Sequence, residues 1–377
     1  MKNPVNPFPL TGYYGPAYFC DREKETKAIL TNIKGGLSTI LTARRRIGKT
    51  LLIRHVIAKL PAGTRGVYLD ILPTENMNGF LNELSSAIIR DISETRGFGR
   101  KAWEFIKSLR PSITFDALTG SPQVTIYVRG AEINTHVESI FEFLEKQNQR
   151  FVIAIDEFQQ ILKYPEKNVD AWLRTIIQRL KNIVFIFSGS QQHLMNELFT
   201  IPSRPFYKSA TMLGIGTIPQ DVYSGFIRLK FSEKGVVIND AVMDGMMQWA
   251  DMHTYYVQLI CNRVYSSGVS EITDTTWKEE AYRLLEEQEP VFLNYRGLLT
   301  IPQWQLLKAV ALEGEVYEPT GNDFIVRHTL GSPSTVLRSL QSLLKMELVY
   351  YDYTAEGRKY HKINDLLFRR WAESRET

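Results

Sequence analysis

The chain has 377 residues, 44% of them hydrophobic and 23% charged, with a formal net charge of +4. That length exceeds what one core usually holds and predicts about two or three domains. The small net charge demands no nucleic-acid partner, though it leaves room for a local basic patch. The two cysteines, Cys20 and Cys261, lie too far apart for a cysteine-spaced metal site and suit a reduced, cytoplasmic protein.

The first stretch, MKNPVNPFPLTGYYGP, is rich in proline and lacks the apolar centre of a signal peptide. No apolar run reaches the length of a membrane span, so no membrane partner is expected. Asp21–Ile33 has helical apolar spacing at Ile29, Leu30 and Ile33 and stops at Gly35-Gly36. The β-branched run Thr39–Thr42 then leads into Ala43-Arg44-Arg45-Arg46-Ile47-Gly48-Lys49-Thr50, and a helix-period run continues from Leu51 to Leu60. Strand, loop, helix in that order is a phosphate-binding arrangement. Gly48 would let backbone N–H groups approach a phosphate, Lys49 would reach the β- and γ-phosphates, and Thr50 would put a hydroxyl on Mg²⁺. The helix start points its positive end at the same anion. Arg45, Arg46, Ile47 and Leu51 complete the candidate nucleotide-binding set; Arg45 and Arg46 read equally well as a solvated basic turn. The pattern normally opens with glycine, and Ala43 stands there with a narrower range of φ.

Pro61-Ala62-Gly63 ends that helix, and Gly66–Leu72 reads as a second strand. Phe80, Leu81, Leu84, Ile88 and Ile89 mark a helix, Gly97–Gly99 breaks the pattern, and Trp103–Ile106 belongs to a helix that stops at Pro111. Ile113–Phe115 and Val124–Val128 flank the turn-rich Asp116–Pro122, which predicts an inserted β-hairpin near 111–128. After a helix carrying Ile140, Phe141 and Leu144, the apolar run Phe151–Ile155 is too short for a helix and reads as a buried parallel strand. It ends in Asp156-Glu157. Alone, that pair would be a solvated strand end. Beside Gly48-Lys49-Thr50 on the same sheet, Asp156 is expected to hold Mg²⁺ through water and Glu157 to orient the attacking water. A helix over Ala171–Leu180 leads to a second buried strand, Ile183–Phe187, closed by Ser188-Gly189-Ser190.

Strands alternating with helices predict an α/β fold with a doubly wound parallel sheet, and ligands bind at the carboxyl ends of such strands, where Thr50, Asp156, Glu157 and Ser188 fall. From Pro219 the pattern turns wholly helical, with candidates at Val222–Phe231, Asp240–Ala250, Tyr255–Val264 and Trp277–Gln288. From Pro302 come helices at Trp304–Leu312, Asp323–His328 and Ser334–Leu344, the last with Ser332 as N-cap before Pro333. A hairpin follows, with strands Leu348–Tyr353 and Arg358–Ile363 around Thr354–Gly357, and then a last helix with Leu366, Leu367, Phe368 and Trp371. Helix, helix, helix, hairpin is the winged-helix order. The expected domains are 1–217, the nucleotide-binding core; 218–292, a helical lid; and 293–377, the winged helix.

On these residues the chain resembles the AAA+/STAND class of P-loop ATPases, above all the prokaryotic archaeal-type ATPase group. Phe19-Cys20-Asp21-Arg22-Glu23 matches that group's Phe-x-x-Arg-Glu. Arg45–Thr50 matches its phosphate loop, Ala43 and Arg44 excepted. Asp156-Glu157 and Ser188-Gly189-Ser190 match its strand ends. The resemblance implies an ATP-binding, Mg²⁺-dependent hydrolase that acts as a switch through its lid and winged helix, with oligomerisation as a further expectation. It implies Lys49 and Glu157 as catalytic groups, Ser188 and Ser190 as candidates for a polar sensor near the γ-phosphate, and Arg204 as a γ-phosphate-reading arginine; a plain Ser-Gly turn is the competing reading of the serines, and an ordinary surface arginine between prolines that of Arg204. Phe19 and Arg22 would flank the base or simply pack at a helix start. His136, His193, His253, His328 and His361 show no ligand spacing. Two other functions compete: a DNA-binding ATPase of replication, transposition or transcription control, and a non-hydrolysing nucleotide-binding scaffold. Ser334, Thr335, Arg338 and Lys345 on the third helix and Arg358 and Lys359 on the wing are a DNA-facing set. From Ile301 onward, however, ten basic residues meet ten acidic ones, a balance that disfavours phosphate-driven affinity and favours a protein-docking role.

Overall fold

The computed structural model describes residues 4–92, 98–128, 130–354 and 356–376. Its contacts divide the chain into two compact units, Met1–Phe226 and Ile227–Thr377.

In the first unit the elements run α1 (Glu23–Lys34), β1 (Thr39–Thr42), α2 (Lys49–Ala58), β2 (Thr64–Asp70), α3 (Met77–Ile92), α4 (Phe98–Ser108), β3 (Ser112–Phe115), β4 (Pro122–Thr125), α5 (Ala131–Glu145), β5 (Arg150–Asp156), α6 (Val169–Ile177), β6 (Ile183–Gly189), α7 (Gln192–Thr200) and β7 (Thr211–Gly214); α8 (Gln220–Ser232) follows. The central sheet is parallel, in the order β2-β5-β6-β1-β7. Both of its faces are covered, which is why β5 and β6 are apolar at nearly every position. Alternate strand residues enter two separate cores. Val67, Leu69, Phe151, Ile153, Ile155, Phe185 and Phe187 pack with α3, α5 and α7. Leu41, Tyr68, Val152, Ala154, Val184 and Ile186 pack with α1 and α2. The doubly wound parallel sheet expected from the alternation of elements is thus the fold.

The inserted hairpin pairs β3 with β4 from Ser112↔Thr125 to Phe115↔Pro122. It is pinned to α3, where Ser86 Oγ and Asn82 Oδ1 accept the backbone N–H groups of Val124 and Ile126, both at 2.9 Å. Three readings need correction. Gly99 lies inside α4 rather than in a break; Gly97 lies outside the described residues. Helix α7 and strand β7 were not foreseen, because each is short and its strongest signal is a tertiary partner. The region after Pro219 is not purely helical.

The second unit contains β8 (Val237–Ile238), α9 (Asp240–Trp249), α10 (Thr254–Ser266), β9 (Glu271–Ile272), α11 (Asp274–Leu298), α12 (Ile301–Glu313), α13 (Asn322–Arg327), α14 (Pro333–Lys345), β10 (Val349–Tyr353), β11 (Lys359–Ile363) and α15 (Leu366–Glu376). Strands β8 and β9 form the unforeseen two-residue parallel pair. Helix α11 runs past the expected stop and through Pro290, because Phe292 beyond it is fully buried against Phe368 and Trp371, each with ring centroids at 5.6 Å. Ser332 caps α14 as expected, accepting from Thr335 N, with Pro333 in the first turn. The wing pairs β10 with β11 from Val349↔Ile363 to Tyr353↔Lys359, and His361 also bridges to Val316.

The first unit's larger core closes on a cluster of phenylalanines. Phe206 is fully buried and packs edge-on against Phe158, Phe187 and Phe199 at centroid distances of 5.2, 5.6 and 5.4 Å. Phe206→Ala should therefore destabilise this unit by about 3–5 kcal/mol, through lost burial and the cavity left behind. Urea unfolding followed by far-ultraviolet circular dichroism reads it; a loss under about 1 kcal/mol would mean the cluster repacks freely.

Candidate active site

Between β1 and α2, the chain turns through Arg46 at φ 59° and Gly48 at φ 104°. Gly48 is required by this positive φ rather than by crowding, since a Cβ there would meet nothing within 4 Å. Ala43 is not among the described residues with positive φ, so an alanine fits the place where the resembled pattern has glycine. Ile47 is buried among Leu52 and Ile53 and anchors the loop, while the side chains of Arg45 and Arg46 are exposed and that of Leu51 is half-buried. Helix α2 starts without a side-chain cap, and its first N–H groups have no intrahelical acceptor.

Lys49 is 6% exposed, and its Nζ donates to the carbonyls of Ala43 and Arg44, both at 3.0 Å. Burial pulls its ammonium below the usual lysine range; Glu157 and Asp156 oppose this, and Arg45 adds to it. Thr50 Oγ1 donates to Asp156 Oδ2 at 2.6 Å. Tyr68 OH reaches the same oxygen at 2.9 Å, and Glu157 N donates to Oδ1 at 3.1 Å. Parallel register aligns these ends: Asp70 sits opposite Asp156, and Thr42 opposite Gly189. Burial, with Asp156 and Glu157 nearby, raises the pKa of Asp70 against the lowering effect of the Leu72 N–H.

Glu157 stands just beyond β5 at φ 55°. Its Oε2 accepts from Gln159 Nε2 at 2.5 Å, Ser190 Oγ at 2.8 Å and Ser190 N at 3.3 Å. Gly189 makes room for this arrangement, since a Cβ there would fall 2.2 Å from Gln159 Oε1 and 2.6 Å from Met195 Sδ. Of the two serines singled out in the sequence, Ser190 touches Glu157. The Ser188 hydroxyl is fully buried and has no hydrogen-bond partner. Arg204 is held elsewhere: its guanidinium is ion-paired with Glu197 and lies 3.8 Å from Asp170.

The donors suit a nucleoside polyphosphate accompanied by a small hard cation. Uncapped helix N–H groups, a desolvated ammonium and an unpaired buried hydroxyl call for anionic oxygens. Thr50 and Asp156 offer hard oxygen ligands to Mg²⁺. Among the described residues no group of three or more His, Cys, Asp or Glu is placed to hold a metal.

Sequence reasoning missed Tyr68, Gln159 and His55. Tyr68 carried no signal, because its place beside Ala154 and Asp156 follows only from the register of β2 on β5. Gln159 carried none, because its contact depends on the turn after β5. His55, on α2, is 5% exposed, stacks on Phe19 at a centroid distance of 4.1 Å and pairs with Tyr13 OH through Nδ1 at 2.8 Å. Phe19 thus packs against the protein, and Arg22 does likewise, its Nη2 donating to Gly216 O at 2.7 Å.

Comparison with known proteins agrees with this geometry. Residues 19–215 match the profile of an ATPase domain predominantly from Archaea, and residues 290–374 match a probable winged helix domain. The chain belongs to that ATPase family. None of the curated proteins matches it. Among solved structures it is similar to a Walker-type ATPase of Pyrococcus abyssi, at 18% identity and a TM-score of 0.67, covering 97% of this chain and 99% of that one. It is also similar to the ORC2 protein of Aeropyrum pernix in ADPNP–ADP complexes, at 13% identity and a TM-score of 0.58, covering 97% and 98%. The ORC1 protein of Aeropyrum pernix in complex with DNA gives 13% identity and a TM-score of 0.52 over 99% and 97%. These likenesses establish the fold, and the family match makes the chain an ATPase-domain protein. No helix among the described residues is long and apolar enough to cross a membrane.

The aromatic contact on α2 has a pH signature. Burial, reinforced by Lys59, lowers the pKa of His55 from 6.5 to about 4. The unfolded chain therefore takes up this proton first as pH falls. The contribution of a neutral His55 is complete above pH 6.5 and is lost progressively toward about pH 4. His55→Gln should flatten that part of the stability–pH curve. Urea midpoints of both proteins across this range provide the check, and parallel declines would refute it.

Proposed function

We propose that the chain is a cytoplasmic Mg²⁺-dependent ATP hydrolase whose nucleotide state acts as a switch on the C-terminal unit, in the manner of STAND ATPases. The observation that carries the reading is the meeting of Lys49, Thr50, Asp156 and Glu157 at the carboxyl ends of β1 and β5, with Thr50 and Asp156 2.6 Å apart. Lys49 would give up its loop carbonyls for the β- and γ-phosphate oxygens, with the N–H groups of Gly48 to Leu51 beside it. Thr50 would hold Mg²⁺ directly and Asp156 through water; the bound ion supplies charge neutralisation at the phosphates. Glu157 would orient the attacking water, steadied by Gln159 and Ser190. Ser188 would lend its unpaired hydroxyl to the γ-phosphate. Arg204 would read that phosphate only after leaving Glu197 and Asp170, whether in its own chain or across an oligomer.

Glu157→Gln should bind ATP as wild type does while turnover falls about 10²–10⁴-fold, and Lys49→Ala should lose binding. Turnover should vanish in EDTA. Phosphate release by Glu157→Gln at the wild-type rate, or activity unchanged in EDTA, would remove the hydrolase reading and leave a nucleotide-binding scaffold.

For the winged helix we propose protein docking ahead of DNA. Arg338 and Lys345 are exposed on α14, but Arg358 and Lys359 on the wing already lie over the rings of Tyr317 and Tyr351, at 4.4 and 3.9 Å. DNA titrations of the full chain at several salt concentrations, with and without ATP, should show weak binding or none. Tight binding that falls with salt by roughly −0.9 per phosphate contact, and that disappears in Arg338→Ala, would reverse this ranking.

A further inference from the structure

Tyr68 is fixed from every side. It lies in β2, 7% exposed, opposite Ala154 of β5. Its backbone N–H donates to Asp91 Oδ2 at 2.8 Å, and its carbonyl accepts from Arg90 Nη2. The Arg54 guanidinium covers its ring at 3.8 Å from the centroid. All this holding delivers one atom to one place: Tyr68 OH sits 2.9 Å from Asp156 Oδ2, the oxygen that also accepts from Thr50.

We infer that Tyr68 is a positioning residue for the metal-binding carboxylate, with Arg54 and the Arg90–Asp91 pair holding it in place. Asp156 already accepts from Thr50 and from the Glu157 N–H, and any play left about its terminal torsion would be lost when it holds a metal-bound water. A phenol donating to Oδ2 settles the orientation beforehand and leaves Asp156 aligned with the Thr50 hydroxyl. Outer-shell partners of this kind are worth about 10–100-fold in metal affinity. The inference rests on the ATP–Mg²⁺ reading above.

Tyr68→Phe removes one oxygen and preserves the ring, the Arg54 contact and the backbone bonds. Fluorescence titration with methylanthraniloyl-ATP, in EDTA and across a Mg²⁺ series, separates the outcomes without any measure of turnover. The variant should match wild type in EDTA, while the Mg²⁺ concentration giving half of the metal-dependent gain rises about 10–100-fold. Arg54→Met, which keeps the hydroxyl but frees the ring, should move that midpoint in the same direction by a smaller factor. A Mg²⁺ curve for Tyr68→Phe that overlays wild type overturns the inference. So does an equal loss with and without metal, because the tyrosine would then be scaffold alone. Wild type failing to bind the nucleotide under either condition would overturn the ATP reading itself, and this inference with it.

Discussion

The hydrogen bond from Thr50 to Asp156 joins groups 106 residues apart in sequence, and the site is arranged around it. It requires β1 and β5 in one parallel sheet with β6 between them, so that α2 begins where β5 ends. Beside that bond the ammonium of Lys49 is kept in a poorly solvated place. Asp156 and Glu157 offset that desolvation from one side and two loop carbonyls from the other. A positive group kept dry among partial and full negative charges is ready to exchange them for an anion that outweighs them.

Much of this was legible in the sequence because it follows from local rules. Phe151–Ile155 and Ile183–Phe187 read as buried strands since only a sheet covered on both faces tolerates such unbroken apolar runs. Gly48, Lys49 and Thr50 read as a candidate phosphate loop because such a loop needs those residues in that order, and the structure sets them between a strand and a helix start. What escaped depends on contacts between distant segments. Strand β7 is short and takes its identity from pairing with β1. Helix α11 outlasts Pro290 because Phe292 has aromatic partners far along the chain. Tyr68 and Gln159 are ordinary residues in sequence that become part of the site only through Asp156 and Glu157.

The second unit uses the same physics for shape. Thr300 and Gln303 cap α12 reciprocally, and Ser332 caps α14, so that two helix starts are set by side chains rather than by burial. His361 lies buried in the wing, its Nδ1 3.3 Å from Val316 O, and burial lowers its pKa below the usual histidine range. That histidine packs in the wing. The balance of ten basic and ten acidic residues from Ile301 onward is visible as pairing, with Glu313 against Arg327 and His328, and Glu373 against Arg369 and Arg370.

Glu157 shows how the site divides its labour. A left-handed backbone on a residue that has a Cβ costs about 1–2 kcal/mol, so its φ of 55° must be held from outside. The three donors that hold it all meet Oε2, leaving Oε1 without any of these bonds. In the proposed reading Oε2 is the anchor and Oε1 the oxygen that meets water. The small Gly189 then has a clear purpose, because any side chain there would expel Gln159 and release one of the anchors. Ser190 stands one residue past β6, so the strand that separates β1 from β5 also supplies the hold on the carboxylate. The orientation of Glu157 is therefore coupled to the same sheet register that brings Asp156 to Thr50.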